Sequence, residues 1–178
     1  MNKTQSACII VDMQEKLMVH MHDKDRLIDS TVRLLKGLQV LEIPLLWNEQ
    51  YPKGLGRTVE PIARLLEGSS AMEKISFSCC GSRVFNEALE QTRAGHIILV
   101  GIEAHVCVYQ TGRDLLQRGF SVDIPADCVS SRTAFNRDTA LNRLSDLGAG
   151  IVSMEMVLFD LLEEARGDAF KSISRIVK

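Results

Sequence analysis

Short runs of apolar residues alternate along the chain with longer segments in which apolar residues recur at every third or fourth position. The short runs predict six β-strands, at residues 7–12, 43–50, 72–75, 96–101, 120–125 and 150–154. Most of these runs are apolar nearly throughout, a pattern typical of parallel strands that are buried on both faces of a sheet.

The intervening segments have the periodicity of amphipathic helices. The clearest stripe lies in residues 25–41, and further helices are predicted at 59–66, 82–92, 106–118, 137–147 and in the C-terminal segment 158–178. Strands that alternate with helices predict a doubly wound α/β domain, with a six-stranded, mostly parallel sheet between two helical layers in a Rossmann-like arrangement. Because no repeat or Pro/Gly/Ser-rich linker divides the chain, residues 1–178 are predicted to form a single domain.

The charge of the chain argues against several classes of partner. A formal net charge of −2 disfavours a protein dedicated to nucleic acids or anionic membranes, because such proteins need a basic surface. No apolar run approaches the roughly 20 residues that a membrane-spanning helix requires. The N-terminus lacks the hydrophobic segment of a secretion signal, so we expect a cytoplasmic protein whose partner is a small molecule.

The five cysteines match neither a disulfide framework nor a zinc site. Their number is odd, no C-x-x-C pair occurs, and none of the four histidines stands at ligand spacing to them. We therefore expect free thiols and neither a metal nor another cofactor. Cys79 and Cys80 lie just before a predicted helix, where packing is favoured over redox chemistry.

Three chemically capable side chains follow predicted strands of the sheet. Asp12 ends the first strand, Lys74 lies in or beside the third, and Cys107 follows the fourth, in the first turn of a predicted helix. Ligands of open parallel sheets bind beyond the carboxyl ends of the strands. A helix N-terminus and a nearby lysine both lower the pKa of a thiol, and a carboxylate can accept its proton. Taken singly, the three residues are better explained as a capping residue, a solvated lysine and a packed cysteine. Taken together at three strand ends of one sheet, they favour catalysis and packing about equally.

Three segments of the chain resemble the isochorismatase-like cysteine hydrolases. They are IIVDMQEKL, MEKISFSCC and VGIEAHVCV, in this order, and LLWNEQYPKGLG and DCVSSR are most similar to the branch named for isochorismatase domain-containing proteins. The resemblance implies a catalytic triad of Asp12, Lys74 and Cys107. It also implies hydrolysis of a C–N bond in a small amide-like substrate, through a thioester on the cysteine.

The resemblance extends to the surroundings of the triad. It implies a cis peptide between Ile102 and Glu103, which turns the Glu103 amide toward the substrate to form an oxyanion hole with the Cys107 amide. Family members are commonly homo-oligomers. We expect the substrate to contact six further side chains, Gln14, Trp47, Gln50, Tyr51, Phe77 and His105.

Two departures from the family's other branches narrow the chemistry. Nicotinamidases carry an Asp-x-His metal motif after the second strand, whereas this chain has Asn48-Glu49-Gln50-Tyr51, which argues against a catalytic metal and against nicotinamide. Isochorismatase itself cleaves a vinyl ether and lacks the cysteine, so the presence of Cys107 favours amide chemistry.

Two alternatives remain open from the sequence. The first alternative to a hydrolase is a non-enzymatic oligomer that retains the family fold. The second is a redox-active protein that uses Cys79, Cys80 or Cys107. Glu103 favours the first alternative, because a second carboxylate beside the thiol would oppose its ionisation.

Overall fold

One parallel sheet runs through the centre of the molecule. The computed structural model describes all 178 residues. Its strands are β1 (Ser6–Val11), β2 (Leu45–Gln50), β3 (Met72–Lys74), β4 (His96–Gly101), β5 (Ser121–Pro125) and β6 (Gly150–Val152). They are arranged in the order β3-β2-β1-β4-β5-β6, and every neighbouring pair is parallel. The predicted doubly wound α/β fold is therefore confirmed, with a sheet that is parallel throughout rather than mostly parallel.

Helices cover both faces of this sheet. They are α1 (Glu15–Met18), α2 (Lys24–Val40), α3 (Pro52–Leu55), α4 (Glu60–Ala63), α5 (Arg83–Thr92), α6 (Tyr109–Gln117), α7 (Ala134–Asp146), α8 (Met154–Leu162) and α9 (Gly167–Ile176). α2 packs with α4, α8 and α9 on one face, while α5, α6 and α7 pack on the other. No helix has the length and apolar character needed to cross a membrane.

The central strand β1 explains why the strand-forming runs are apolar throughout. Cys8 and Ile10 point into the core beneath α2, whereas Ile9 and Val11 point into the core beneath α5 and α6. All six residues of β1 are buried. A strand covered on both faces has no polar side, so its sequence loses the alternation of a half-exposed strand.

Several helix boundaries differ from the predictions. The C-terminal segment 158–178 is divided between α8 and α9, and Glu163, with a φ of 63°, ends α8. α7 begins at Ala134 rather than at residue 137, because the Thr133 side chain caps it by accepting a hydrogen bond from the Asn136 amide. The exposed side chain of Phe135 conceals this start from a hydrophobicity pattern. The short helices α1 and α3 were not predicted.

The predicted helix 106–118 has two parts. Residues Ala104–Val108 form a π-helical turn, and the α-helix proper, α6, starts only at Tyr109. In this turn the amide of Val108 donates to the carbonyl of Glu103, 3.2 Å away. The structure thus corrects the prediction that Cys107 lies in the first turn of an α-helix. The apolar spacing of the segment gave no sign of the wider turn.

The fold gathers the carboxyl ends of β1 to β4 at one edge of the sheet. Asp12 directly follows β1, Gln50 and Lys74 end β2 and β3, and the π-helical turn follows β4. β1 and β4 are neighbours at the point where the strand order reverses, which is the usual ligand site of such sheets.

Candidate active site

A buried ion pair joins Asp12 and Lys74. Lys74 Nζ lies 2.7 Å from Asp12 Oδ2, and both side chains are fully excluded from solvent. Because β2 separates β3 from β1, the lysine side chain reaches the aspartate past the end of β2. Nζ also donates to Gln50 Oε1 at 2.8 Å and to the carbonyls of Phe77 and Ser76 at 3.1 and 3.3 Å. The ammonium group is therefore surrounded by oxygen atoms.

The Asp12 carboxylate keeps one oxygen unpaired. Oδ1 is buried and has no hydrogen-bond partner. Burial raises the pKa of the carboxyl above its usual value, while the charge and hydrogen bond of Lys74 act in the opposite direction. The group consequently holds a proton more tightly than an exposed aspartate does, which suits it to act as a base and later as an acid.

Cys107 lies beside this carboxylate and is almost buried, with 6% of its surface exposed. Burial raises the pKa of its thiol well above the usual value, the charge of Asp12 raises it further, and the charge of Lys74 lowers it. This corrects the expectation of a lowered pKa, because burial and Asp12 outweigh the lysine. The resting cysteine is a thiol, and its reaction requires transfer of the proton as the new bond forms.

The peptide between Ile102 and Glu103 is cis. The Glu103 amide N–H donates no hydrogen bond within the protein, so it is available to a ligand. The preceding residue, Gly101, has a φ of 120°, and a Cβ atom placed there would lie 2.1 Å from the carbonyl oxygen of Val11. Only glycine fits at this position, because β4 and the turn after it lie so close to β1 there.

The Glu103 carboxylate is bound to Arg132. Arg132 Nε lies 2.9 Å from Glu103 Oε2, and the glutamate side chain is 15% exposed. The largest charge effects on the pKa of the Cys107 thiol come from Asp12, which raises it, and from Lys74, which lowers it. The positive charge of Arg132 offsets the negative charge of Glu103, which weakens the expected opposition of Glu103 to thiolate formation.

Gln14 uses both hydrogens of its side-chain amide within the protein, whereas Gln50 uses one of its two. Gln14 Nε2 donates to the carbonyls of Gln50 and Gly56, at 3.0 and 2.7 Å, and its Oε1 accepts from the Gln50 amide at 2.7 Å. The side chain of Gln50 lies between Lys74 and the carbonyl of Ile75, to which its Nε2 donates at 2.7 Å. The predicted substrate contact of Gln14, which is buried, is corrected to contacts within the protein, whereas that of Gln50 stays a prediction.

Tyr51 and Phe77 are two further predicted pocket residues that border Lys74. The Tyr51 amide donates to the Lys74 carbonyl, and the Phe77 carbonyl accepts from Lys74 Nζ. Both residues are about half exposed, at 52% and 54%, so their contacts with Lys74 are made by the backbone at the surface. His105, in the π-helical turn, shares a hydrogen bond of 3.0 Å with Ser131 Oγ.

Trp47 does not join this group. It packs into the core beneath α2, on the face of the sheet opposite Cys107, and its Nε1 donates to Ser69 Oγ at 3.1 Å. It lines a separate cavity of about 450 Å³ together with Glu49 and Arg57. This corrects the prediction for Trp47, whose side chain points away because successive residues of a strand face opposite sides.

Open space at the triad is limited in the single chain. Five surface cavities of about 210 to 540 Å³ are lined by none of Asp12, Lys74 and Cys107. No cluster of three or more His, Cys, Asp or Glu side chains is placed to hold a metal ion. Cys107 itself is 6% exposed, so access to its thiol is narrow.

Two residues to which the sequence assigned no role support the site. Thr111 Oγ1 accepts a hydrogen bond of 3.0 Å from the amide of Cys79, which ties the segment after β3 to α6, the helix that directly follows the turn with Cys107. Cys79 itself is fully buried, and burial raises the pKa of its thiol to about 12. Arg132 holds Glu103. The sequence signal for Arg132 was its place in the DCVSSR motif, whereas Thr111 had none.

Comparisons with known proteins agree with the fold and the motifs. A family model for the isochorismatase domain matches residues 6–156. Isochorismatase domain-containing protein 2 of Danio rerio is 37% identical over 172 residues, which cover 97% of this chain and 86% of the relative. A Caenorhabditis elegans structure described as MAR1 ribonuclease superposes with a TM-score of 0.94 at 35% identity, over 99% of this chain and 91% of the other.

A more distant neighbour shares the fold alone. The Escherichia coli YcaC gene product, described as an octameric hydrolase of unknown specificity, superposes with a TM-score of 0.93 at 19% identity. The match covers 99% of this chain and 88% of that structure. The whole sheet and both helical layers are thus common to proteins of widely different sequence.

Proposed function

The chain belongs to the isochorismatase family, and we propose that it is a cysteine hydrolase that cleaves the C–N bond of a small amide-like substrate. The observation that carries the proposal is the buried Asp12–Lys74 ion pair beside the Cys107 thiol. A carboxylate, a cation and a thiol held together at the carboxyl edge of a parallel sheet make a set for nucleophilic acyl transfer.

In the first half of the reaction, Cys107 is acylated. Asp12 Oδ1, which has no other partner, accepts the thiol proton as Sγ attacks the substrate carbonyl carbon. The carbonyl oxygen becomes an oxyanion that receives hydrogen bonds from the backbone amides of Glu103 and Cys107. The tetrahedral intermediate then collapses: the C–N bond breaks, Asp12 returns the proton to the nitrogen, and the amine leaves.

In the second half, water releases the acid. Asp12 removes a proton from a water molecule, which attacks the thioester carbonyl, and the C–S bond breaks. The thiolate recovers its proton from Asp12, so the enzyme returns to its initial state. Lys74 remains charged throughout and stabilises whichever partner, carboxylate or thiolate, is anionic.

The charge and access of the site favour a small neutral substrate. Lys74 is enclosed by oxygen atoms of the protein, so no free cation is left beside Cys107 to bind a phosphate. The chain as a whole carries a net charge of −2, which opposes RNA binding. Because the C. elegans relative is described as a ribonuclease, RNA should still be included in any substrate panel.

Ammonia release from a panel of small primary amides tests the proposal. We expect wild-type protein to release ammonia from at least one amide and Cys107→Ala to release none, with an unchanged circular dichroism spectrum. Cys80→Ala is the matched control, because Cys80 is also 6% exposed and lies outside the triad. Equal turnover by wild type and Cys107→Ala, or RNA cleavage in place of amide cleavage, would overturn the proposal.

One observation favours the non-enzymatic alternative, namely the narrow access to Cys107. A homo-oligomer that retains the fold without catalysis would be consistent with it, and the octameric neighbour shows that this fold supports assembly. We propose that the chain is itself a homo-oligomer. Light scattering measures its assembly, and the amide panel decides whether that assembly is also an enzyme.

A further inference from the structure

A closed ring of hydrogen bonds connects four residues of the site. Lys74 Nζ donates to Asp12 Oδ2 at 2.7 Å and to Gln50 Oε1 at 2.8 Å. The side chain of Gln14 bonds to both the backbone amide and the backbone carbonyl of Gln50. The backbone amide of Gln14 donates to the Asp12 carbonyl at 2.6 Å. Asp12, Gln14 and Lys74 are buried. The ring therefore ties the segment after β1 to the ends of β2 and β3.

Gln50 accepts a hydrogen bond from one of the three N–H groups of the Lys74 ammonium. The four acceptors around Nζ are Asp12 Oδ2, Gln50 Oε1 and the carbonyls of Phe77 and Ser76, and the last is the most distant at 3.3 Å. Gln50 Oε1 is the only neutral side-chain acceptor among them. A lysine side chain has four rotatable bonds, so its position depends on the atoms that receive its protons.

Gln50 is itself fixed at both ends. Its Nε2 donates to the Ile75 carbonyl at 2.7 Å, one residue beyond Lys74. Its backbone is held by Gln14 on one side and by pairing with β3 at Lys74 on the other. The amide oxygen that faces Nζ therefore has little freedom to move away.

From this arrangement we propose that Gln50 is a positioning residue, which holds the Lys74 ammonium against Asp12 and so sets the reactivity of Cys107, and that Gln14 fixes Gln50 in that role. The inference rests on the proposed function and deepens it. Gln50 touches neither the thiol nor the substrate in this role, because it acts through Lys74. Without the amide oxygen of Gln50, the Ser76 carbonyl at 3.3 Å is the only remaining acceptor for the third ammonium proton, and the lysine would move toward that carbonyl and away from its present position against Asp12.

The rate of alkylation of Cys107 by iodoacetamide tests the inference, and peptide mass spectrometry reads it between pH 6 and 9.5. Gln50→Met preserves the length of the side chain and removes the amide. We expect Cys107 to react about tenfold more slowly in this variant, with its pH–rate profile displaced to higher pH by about one unit. Gln39→Met is the control: Gln39 is exposed, bonds only to the Leu65 carbonyl away from the site, and its replacement should leave the profile unchanged.

The double variant Gln50→Met/Lys74→Met separates action through the lysine from a general structural effect. If Gln50 acts through Lys74, Gln50→Met changes nothing further once Lys74 is replaced. Should Gln50→Met fail to fold, Gln50→Asn, which withdraws the amide oxygen by one methylene group, provides the same test.

Three outcomes overturn the inference. Normal reactivity in Gln50→Met together with slow reaction in Lys74→Met would reject Gln50 and leave the triad intact. If Gln50→Met slowed the alkylation of Cys107 equally in the wild-type and Lys74→Met proteins, Gln50 would act by a route other than Lys74. Unchanged reactivity of Cys107 in Lys74→Met would show that Lys74 does not activate the thiol, which would contradict both the proposed triad and the inference.

Discussion

Lys74 Nζ lies 2.7 Å from Asp12 Oδ2 in a site from which both side chains are fully excluded from water. An ion pair this deeply buried is a poor source of net stability, because desolvation of both charges offsets their attraction. Its presence at the carboxyl edge of the sheet, beside a thiol, is better explained by chemistry. The predictions that follow depend on this pair and on its neighbours.

Removal of the lysine should destabilise the protein more than removal of an exposed cation. Lys74→Met leaves Asp12 buried without its partner, and breaking such a pair costs about 3–5 kcal/mol at neutral pH. Protonation of Asp12 would reduce this cost in acid. Urea denaturation at pH 7.5 measures it. Arg83→Met, which breaks the exposed pair with Glu87, should cost less than about 1 kcal/mol, and an equal loss in both variants would contradict the prediction.

The pH dependence of catalysis should report the ionisation of Asp12. Because burial raises the pKa of this carboxyl above its ordinary value of 3.8, kcat/KM should fall with decreasing pH through an apparent pKa above 3.8. Asp12→Asn should abolish turnover, since the amide cannot accept the thiol proton. If kcat/KM fell only through an apparent pKa at or below 3.8, Asp12 would be excluded as the base.

The same raised pKa has a defined effect on folding. A group whose pKa is higher in the folded state contributes stability that is present below its unfolded pKa and is lost as the pH rises through its folded pKa. Asp12→Asn should therefore gain stability relative to wild type as the pH rises above 3.8. Urea denaturation of both proteins at pH 4 and pH 7 measures this. A stability difference between them that does not change with pH would contradict the prediction.

Arg132 should protect the thiol from the charge of Glu103. Without its partner, the Glu103 carboxylate is free to turn toward Cys107 and oppose proton loss from Sγ. Arg132→Ala should lower kcat/KM by about threefold to tenfold, equivalent to a pKa change of about 0.5 to 1 unit. The double variant Arg132→Ala/Glu103→Gln should recover most of the activity. A double variant no better than Arg132→Ala would show that the arginine contributes by other means.

Gly101 should be the least replaceable glycine near the site. Gly101→Ala places a Cβ atom 2.1 Å from the Val11 carbonyl oxygen, so β4 must move away from β1. We expect a loss of at least about 1–3 kcal/mol, as for other overpacked positions, together with lost activity. Gly95→Ala is the control, because open space surrounds that position. Thermal denaturation compares the two, and equal melting temperatures would refute the prediction.

The sequence predicted the architecture better than the local geometry. Buried strands such as β1 and β4 are apolar throughout, and that pattern survives errors at either end of a strand. The π-helical turn around Cys107 left no comparable trace, because one additional residue in a turn barely changes the spacing of apolar side chains. The prediction therefore placed the cysteine in a regular helix and, with it, in an environment that lowers the thiol pKa.

The site was predictable as a set of residues and not as a set of contacts. Asp12, Lys74 and Cys107 stand at strand ends that a parallel sheet must bring to one edge. Which way each neighbouring side chain points depends on strand phase and on loops. Trp47 therefore lies on the opposite face, Gln14 bonds within the protein, and Gln50 bonds to Lys74. The role of Arg132 depends on a contact between residues far apart in the chain.

A crystal structure of the protein soaked with a small aldehyde tests the central claim most directly. An aldehyde that meets an activated thiol forms a thiohemiacetal, which is stable enough to observe and resembles the tetrahedral intermediate. The account predicts a covalent bond from Cys107 Sγ to the aldehyde carbon, with the oxygen within hydrogen-bond distance of the Glu103 and Cys107 amides. An adduct on another cysteine, or an unmodified Cys107 at saturating aldehyde, would contradict it.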